Sequence, residues 1–215
     1  MSKKHPNGYF KTEKDDNFIG MSKAVSIGTT KRHFLSFYRK YYDKNWEKAL
    51  EVRANGKPNS SHDTIKKDVK ELEYTHTDVV QNPFLETVLW DFESRSPFDD
   101  DTFDIVFSNQ SLEHTKKPWI ICNEIKRIMK KGGLVYVRVP WSWRHHPAPI
   151  DYWRFSPECL INLFDGFEVI EANFDKHNRR QDIRGHWPNE KDSVPVDSLG
   201  GWREHWQTYY VGMKK

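Results

Sequence analysis

Short apolar runs alternate with amphipathic and polar stretches, most clearly over residues 103–140, FDIVFSNQSLEHTKKPWIICNEIKRIMKKGGLVYVRVP. Phe103, Ile105, Val106 and Phe107 make a short apolar run, which predicts a strand covered on both faces. Ile121, Ile125 and Met129 recur every four positions and predict a helix from about Pro118 to Met129. Lys130 and Lys131 suit its C-terminal end, and Gly132-Gly133 is read as its stop. Leu134 to Val139 repeats the buried-strand pattern. The segment is therefore a βαβ unit with polar loops at the carboxyl ends of its strands, where open α/β sheets bind ligands.

The same reading extends along the chain. Residues 1–28 lack periodicity and are expected to form an N-terminal arm or lid, with a single domain over 29–215. Phe34, Phe37 or Tyr38, Tyr41 and Tyr42 give an aromatic stripe on a helix from Thr30 to about Asn45. Strands are predicted at 48–52, 74–79 and 87–90, with a polar helix over 60–72. Ser156-Pro157-Glu158 supplies a cap, a proline at the first helical position and an early acid, so a helix opens there and ends at Gly166. A strand starts at Phe167, and Tyr209–Met213 gives a last one. Residues 175–204, polar and without a clear period, read as an insertion between these two. Alternating strands and helices make this an α/β, Rossmann-like doubly wound sheet.

The order FDIVFSNQSLEH, then Glu124-Ile125-Lys126-Arg127, then KKGGLVYVRVP resembles the class I S-adenosylmethionine-dependent methyltransferases, in particular the type 11-like subgroup. The similarity runs over roughly residues 47–175 plus the final strand. It implies seven strands with the last antiparallel, S-adenosyl-L-methionine as cofactor and S-adenosyl-L-homocysteine as product. The segment HHPAPIDYWR resembles methyltransferases of polysaccharide-synthesis clusters, including the methyltransferase domain of a chlorovirus glycan-synthesising protein. That second likeness implies a sugar acceptor, a module of a larger protein and, for a virus, the host cytoplasm.

Composition narrows this picture. In 215 residues, 34 basic and 31 acidic side chains are interleaved to a net charge of +3, so no basic block argues for a nucleic-acid partner. No apolar run has the length of a membrane span, and a reducing, cytoplasmic setting is expected. Cys122 and Cys159 fall in apolar helical patterns and read as inert core thiols. Nine Trp, nine Tyr and thirteen Phe are enough to line a sugar-binding rim as well as a core.

The resemblance assigns cofactor contacts to Glu51, Arg53, Ala54, Gly56, Asp78, Val79, Asp91, Phe92, Ser108, Asn109 and Leu112. Asp78, after the second strand, has the chemistry to accept ribose hydroxyls, or is a solvated turn acid. Asp91 is the position that accepts from the adenine amino group in the family, or a loop acid. Asn109 either lies along the methionine part or caps the following helix. Glu51 and Gly56 keep the family's acid and a glycine, but Arg53 and Asn55 stand where glycines are usual, and Arg tolerates positive φ poorly. Asp99-Asp100-Asp101 reads as a solvated turn, and no His, Asp and Glu set has the spacing of a metal cage.

Methyl transfer to an alcohol needs a base, and His suits that near neutral pH. His114, past the fourth strand, is the first candidate; its alternative is a helix-entry hydrogen-bonding His. His146 and Asp151 follow on the proline-stiffened loop 140–157. Asp151 orients a His, binds a sugar hydroxyl, or pairs structurally with Arg154. Trp141, Trp143, His145, Tyr152, Arg154 and Trp187 are the expected acceptor contacts, with His186, Trp202, Arg203, His205 and Trp206 beside them. A sugar O-methyltransferase is the leading reading. A small-molecule, protein or RNA methyltransferase, or a non-catalytic scaffold with a failed cofactor loop, stands against it.

Overall fold

The computed structural model describes residues 3–4, 10–11, 30–53, 66–82, 86–142, 145–147, 150–180 and 203–215. Two short strands, β1 (Lys3–Lys4) and β2 (Phe10–Lys11), pair antiparallel in the N-terminal arm. The domain then runs α1 (Thr30–Tyr41), β3 (Lys48–Val52), β4 (Glu73–Asp78), β5 (Val88–Leu89) and β6 (Phe103–Asn109). A 3₁₀ turn (Leu112–His114) leads to α2 (Pro118–Ile128), β7 (Met129–Ser142), α3 (Pro157–Leu163), β8 (Phe167–Arg180) and β9 (Arg203–Lys214).

The seven-stranded sheet has the order β5-β4-β3-β6-β7-β9-β8. Neighbours from β5 to β7 are parallel, and β9 lies antiparallel between β7 and β8. This is the expected seven-stranded class I methyltransferase arrangement with an antiparallel last strand. The chain leaves the centre in opposite directions at β3 and β6, so the crevice of a doubly wound sheet opens beyond Val52 and Ser108.

Period-two alternation divides the core between the faces. Val106, Val135, Val137 and Val139 pack with Ile121, Ile125 and Leu160 from α2 and α3. Ile105, Phe107, Leu134 and Tyr136 face the opposite way, against Phe34, Phe37 and Tyr38 of α1. Ser156 caps α3, its hydroxyl accepting from the Cys159 amide at 3.2 Å, as the sequence predicts.

Three expectations change. Helix α2 stops at Ile128, and Met129 is already extended and paired with Phe103. Gly132-Gly133 therefore lies inside the irregular start of β7 rather than ending the helix. Gly132 takes φ +76°, and a Cβ on Gly133 would sit 2.8 Å from the Asp104 carbonyl oxygen. Strands β8 and β9 extend to Arg180 and from Arg203, so the insertion shrinks to 181–202. They pair with each other beyond the sheet, where polar residues occupy a ribbon without an apolar period. Cys122 is buried, but Cys159 is exposed, so only the first is a core thiol. The acidic turn at 99–101 is solvated as expected but tied down, Asp100 by Arg127 and Asp101 by Lys214. Among the described residues no helix is long and apolar enough to cross a membrane.

Candidate active site

At the carboxyl end of β6, Ser108 stands in register with Val52 on one side and Val137 on the other. Ser108 Oγ, Asn109 Oδ1 and Gln110 Nε2 are buried and have no hydrogen-bond partner among the described residues. Gln110 turns the chain with φ +56°, a conformation that L side chains rarely adopt, and its amide donates to Arg138 O. Unsatisfied buried polar atoms and backbone strain together at a switch point mark a candidate ligand site. Asn109 does not cap the following turn: Ser111 holds the cap position and its hydroxyl donates to Val52 O. Leu112 is fully buried in the core cluster beneath this point.

A cavity of about 180 Å³ lies among residues that follow β4, β5, β6 and β7. Val79, Asp91 and Phe92 form one wall, and His114, Ile150 and Tyr152 the other. Asp91 Oδ1 accepts from the Glu93 amide, which fixes the carboxylate at the cavity edge. Asp78 ends β4 as predicted but is wholly buried, with Oδ1 accepting from the Val79 amide at 2.7 Å, so Val79 and not Asp78 reaches the cavity. Glu51 is buried and accepts from the Tyr74 hydroxyl, and buried Arg53 donates its amide to Thr77 O. Ala54 and Gly56 lie outside the described residues.

The chemistry gathers where the loop after β7 crosses the 3₁₀ turn. Tyr152 N donates to Glu113 O, and Trp153 Nε1 donates to Lys116 O, which holds the loop down. His114 Nδ1 lies 2.7 Å from Ile150 O. A carbonyl only accepts, so Nδ1 carries the proton and Nε2 the lone pair. The His146 ring stands edge-on to His114, centroids 5.2 Å apart. Its Nδ1 is 3.3 Å from Asp151 Oδ2, and the same oxygen accepts from the His146 amide. Arg154 grips both Asp151 oxygens, Nη1 to Oδ1 at 2.5 Å and Nη2 to Oδ2 at 2.7 Å. Asp151 thus both orients a His and pairs with Arg154.

These surroundings set the protonation states. Burial lowers the His114 pKa and keeps the ring neutral, although its bond to Ile150 O works the other way. Burial alone would raise the Asp151 carboxyl, but Arg154 and the His146 amide hold it at about 2. Glu113, between the two His, is fully buried, and neither carboxylate oxygen is hydrogen-bonded by another of the described residues. Burial pushes its pKa up to about 8, opposed by its own amide and reinforced by Asp151.

The sequence reading passed over Glu113 as a site residue. Its adjacency to His114 was visible; its burial against His146 depends on the loop fold. Glu113, His114 and His146 are not spaced along the chain as a metal cage, yet they converge in space. Among the expected acceptor residues, Tyr152 reaches the cavity and Arg154 is committed to Asp151. Trp141 packs on Phe174, away from the cavity wall, and His145 is exposed outside it. Trp143 and Trp187 lie outside the described residues. Trp119 was also missed: it is exposed and meets Trp153 edge-on, centroids 6.2 Å apart.

Comparison with known proteins agrees with this fold. Residues 52–137 match the family model described as a methyltransferase domain. An uncharacterized methyltransferase of Mycobacterium leprae (strain Br4923) is 49% identical over 39 residues, which is 18% of this chain and 14% of that protein's length. Among solved structures, the [4+2]-cyclase SpnF superposes with a TM-score of 0.60 at 15% identity, covering 92% of this chain and 86% of its own. A SAM-dependent methyltransferase from Methanosarcina mazei gives 0.54 at 13% identity, over 83% and 96%. At these identities the structural neighbours establish the fold. The matched domain gives S-adenosylmethionine as the cofactor, and the residues fit it. Ser108, Asn109 and Gln110 present buried polar atoms in need of partners, and Val79 and Phe92 flank an acid at a cavity sized for one part of a nucleoside.

Proposed function

We propose that this chain is an S-adenosylmethionine-dependent methyltransferase that methylates a hydroxyl of a sugar, a hexose or deoxyhexose, in a glycan. The observation that carries this reading is a tautomer-fixed imidazole, His114, on the wall of the cavity whose other wall holds Asp91. When bound, the cofactor supplies an electrophilic methyl carbon on a sulfonium centre. Val79, Asp91 and Phe92 would hold its adenine, and Ser108, Asn109 and Gln110 the part nearer the sheet centre. His114 Nε2 accepts the proton of the acceptor hydroxyl, and Ile150 O keeps the ring from turning away. His146, oriented by Asp151, stands behind as the second imidazole. Glu113 and Ile150 anchor the loop so that the acceptor meets a fixed geometry.

The sugar acceptor draws support from Tyr152, Trp153 and Trp119, whose exposed rings lie on or beside the cavity rim and suit the apolar face of a pyranose. It draws further support from the likeness of HHPAPIDYWR to polysaccharide-cluster enzymes. The same likeness supports a module of a longer glycan-synthesis protein.

The test has two stages. S-adenosylhomocysteine at millimolar concentration should raise the melting temperature, because it binds the native state alone. Labelled methyl from the cofactor should then reach a panel of sugars and oligosaccharides and not RNA. No thermal shift would leave a scaffold; transfer to RNA or protein alone would overturn the acceptor class.

A further inference from the structure

We infer that Glu113, His114 and His146 form a binding site for one divalent first-row transition-metal ion of the Zn²⁺ type. One carboxylate and two imidazoles lie with a ligand atom of each within 4.8 Å of one another. Glu113 Oε1 is 3.7 Å from His114 Nε2 and 3.9 Å from His146 Nε2. Two ligands at ~2.1 Å from a tetrahedral ion stand about 3.4 Å apart, so the Glu113 oxygen needs shifts of only a few tenths of an ångström, while the three ligand atoms, within 4.8 Å of one another, draw together as the rings turn. Three protein ligands leave an open position.

Two independent features point to a cation. The first is Glu113 itself: a fully buried carboxyl, aimed between two rings, with no hydrogen bond from another of the described residues. A buried carboxyl without a partner is costly whether neutral or charged, and ligation of a cation is one of the few ways in which proteins satisfy it. The second is the outer shell. A metal-bound His almost always donates its other nitrogen to a carbonyl or a carboxylate. Here Ile150 O takes the Nδ1 proton of His114, Asp151 faces Nδ1 of His146, and both Nε2 atoms lie toward Glu113. Asp151 is in turn fixed by Arg154. Two imidazoles with one carboxylate favour Zn²⁺, Co²⁺ or Fe²⁺ over Mg²⁺, which selects oxygen ligands.

Binding stands on this geometry alone. Its consequence for catalysis rests on the methyltransferase reading above: the ion, held by Glu113, His114 and His146, would acidify an acceptor hydroxyl at the open position, so that with metal bound the activation assigned to the His114 base would come from the ion and the proton would pass to solvent.

Chelator-stripped full-length protein titrated with Zn²⁺ by calorimetry should bind one equivalent, and Co²⁺ should give visible ligand-field bands. Glu113→Gln and His146→Ala should each weaken Zn²⁺ at least tenfold, whereas Cys159→Ser leaves the affinity and stoichiometry unchanged and millimolar Mg²⁺ does not compete. His146 is partly exposed, so its variant reports on binding even where Glu113→Gln alters stability. Absence of Zn²⁺ binding at 100-fold excess over ~1 µM, or binding indifferent to both substitutions, overturns the site. Metal binding without any thermal shift by S-adenosylhomocysteine would retain the site and remove the methyltransferase reading. Methyl transfer unchanged by chelation, with no metal bound, would do the reverse.

Discussion

Asp151 concentrates much of the loop's electrostatics in one carboxylate. Its side chain is 1% exposed, with Arg154 on both oxygens and the His146 amide on one. Asp151→Asn keeps the shape and removes the charge, leaving Arg154 without its counter-ion. Arg154 is a quarter exposed, so the cost falls below that of a fully buried broken pair, at about 1–3 kcal/mol. Urea denaturation measures it, and an unchanged midpoint would show that the pair is ornamental. His33 gives a pH prediction. Its Nδ1 lies 2.8 Å from the Tyr136 hydroxyl, its ring packs on Tyr209, and burial, with Arg138 nearby, lowers its pKa to about 4. Between pH 6.5 and about 4 the unfolded chain takes up a proton here that the folded chain refuses. Stability is therefore full above 6.5 and falls through that window, by about 1–2 kcal/mol after screening at this half-buried ring. His33→Gln should flatten the melting temperature against pH over that range; an unaltered slope would rule His33 out as its source. Of these residues, the sequence identified Asp151 and His146 but neither His33 nor Glu113. Both owe their character to partners distant in the chain, Tyr136 for the one and His146 for the other.

At the scale of elements, local signals were read best where they were self-contained. The Ser156 cap, the Pro157 start and the apolar spacing of α2 each act within one turn, and each predicted element is present. Ser156→Ala should cost about 1 kcal/mol, read by urea denaturation, since a single cap hydrogen bond is removed. The Gly132-Gly133 pair was assigned the wrong task because its constraint is tertiary. Gly133 lets the start of β7 approach Asp104 of β6, whose side chain also accepts from the Glu47 and Lys48 amides ahead of β3. Gly133→Ala would bring a methyl within 2.9 Å of two backbone carbonyl oxygens and force the β6–β7 register to shift. A loss of about 1–3 kcal/mol is expected, larger than at an unconstrained strand glycine, where alanine normally stabilises. The long β8–β9 ribbon was invisible for another reason. Its strands satisfy each other's backbone beyond the sheet, and nothing requires their side chains to alternate.

Across the whole molecule, the doubly wound sheet was legible because both faces are covered and its central strands are nearly continuous apolar runs. The assembly of the site was less so. Its residues come from just beyond β4 and β5, from the turn after β6 and from the loop after β7, brought together by strand order and not by local sequence. One long-range tie shows how that order is locked on the far side. Arg138 of β7 and Asp175 of β8 form an ion pair across β9, which lies between them; both are buried. Arg138 also belongs to the strand that follows the active-site register, its carbonyl holding Gln110 and its backbone paired with Asn109. Asp175→Asn should therefore cost about 3–5 kcal/mol, because a buried guanidinium loses its counter-charge. The double variant Arg138→Met, Asp175→Leu should recover most of that, since apolar replacement of both partners removes the uncompensated charge. If the double variant is no more stable than the single one, the pair contributes more than mutual compensation. Its role would then extend to the register that sets Asn109 and Gln110 at the switch point.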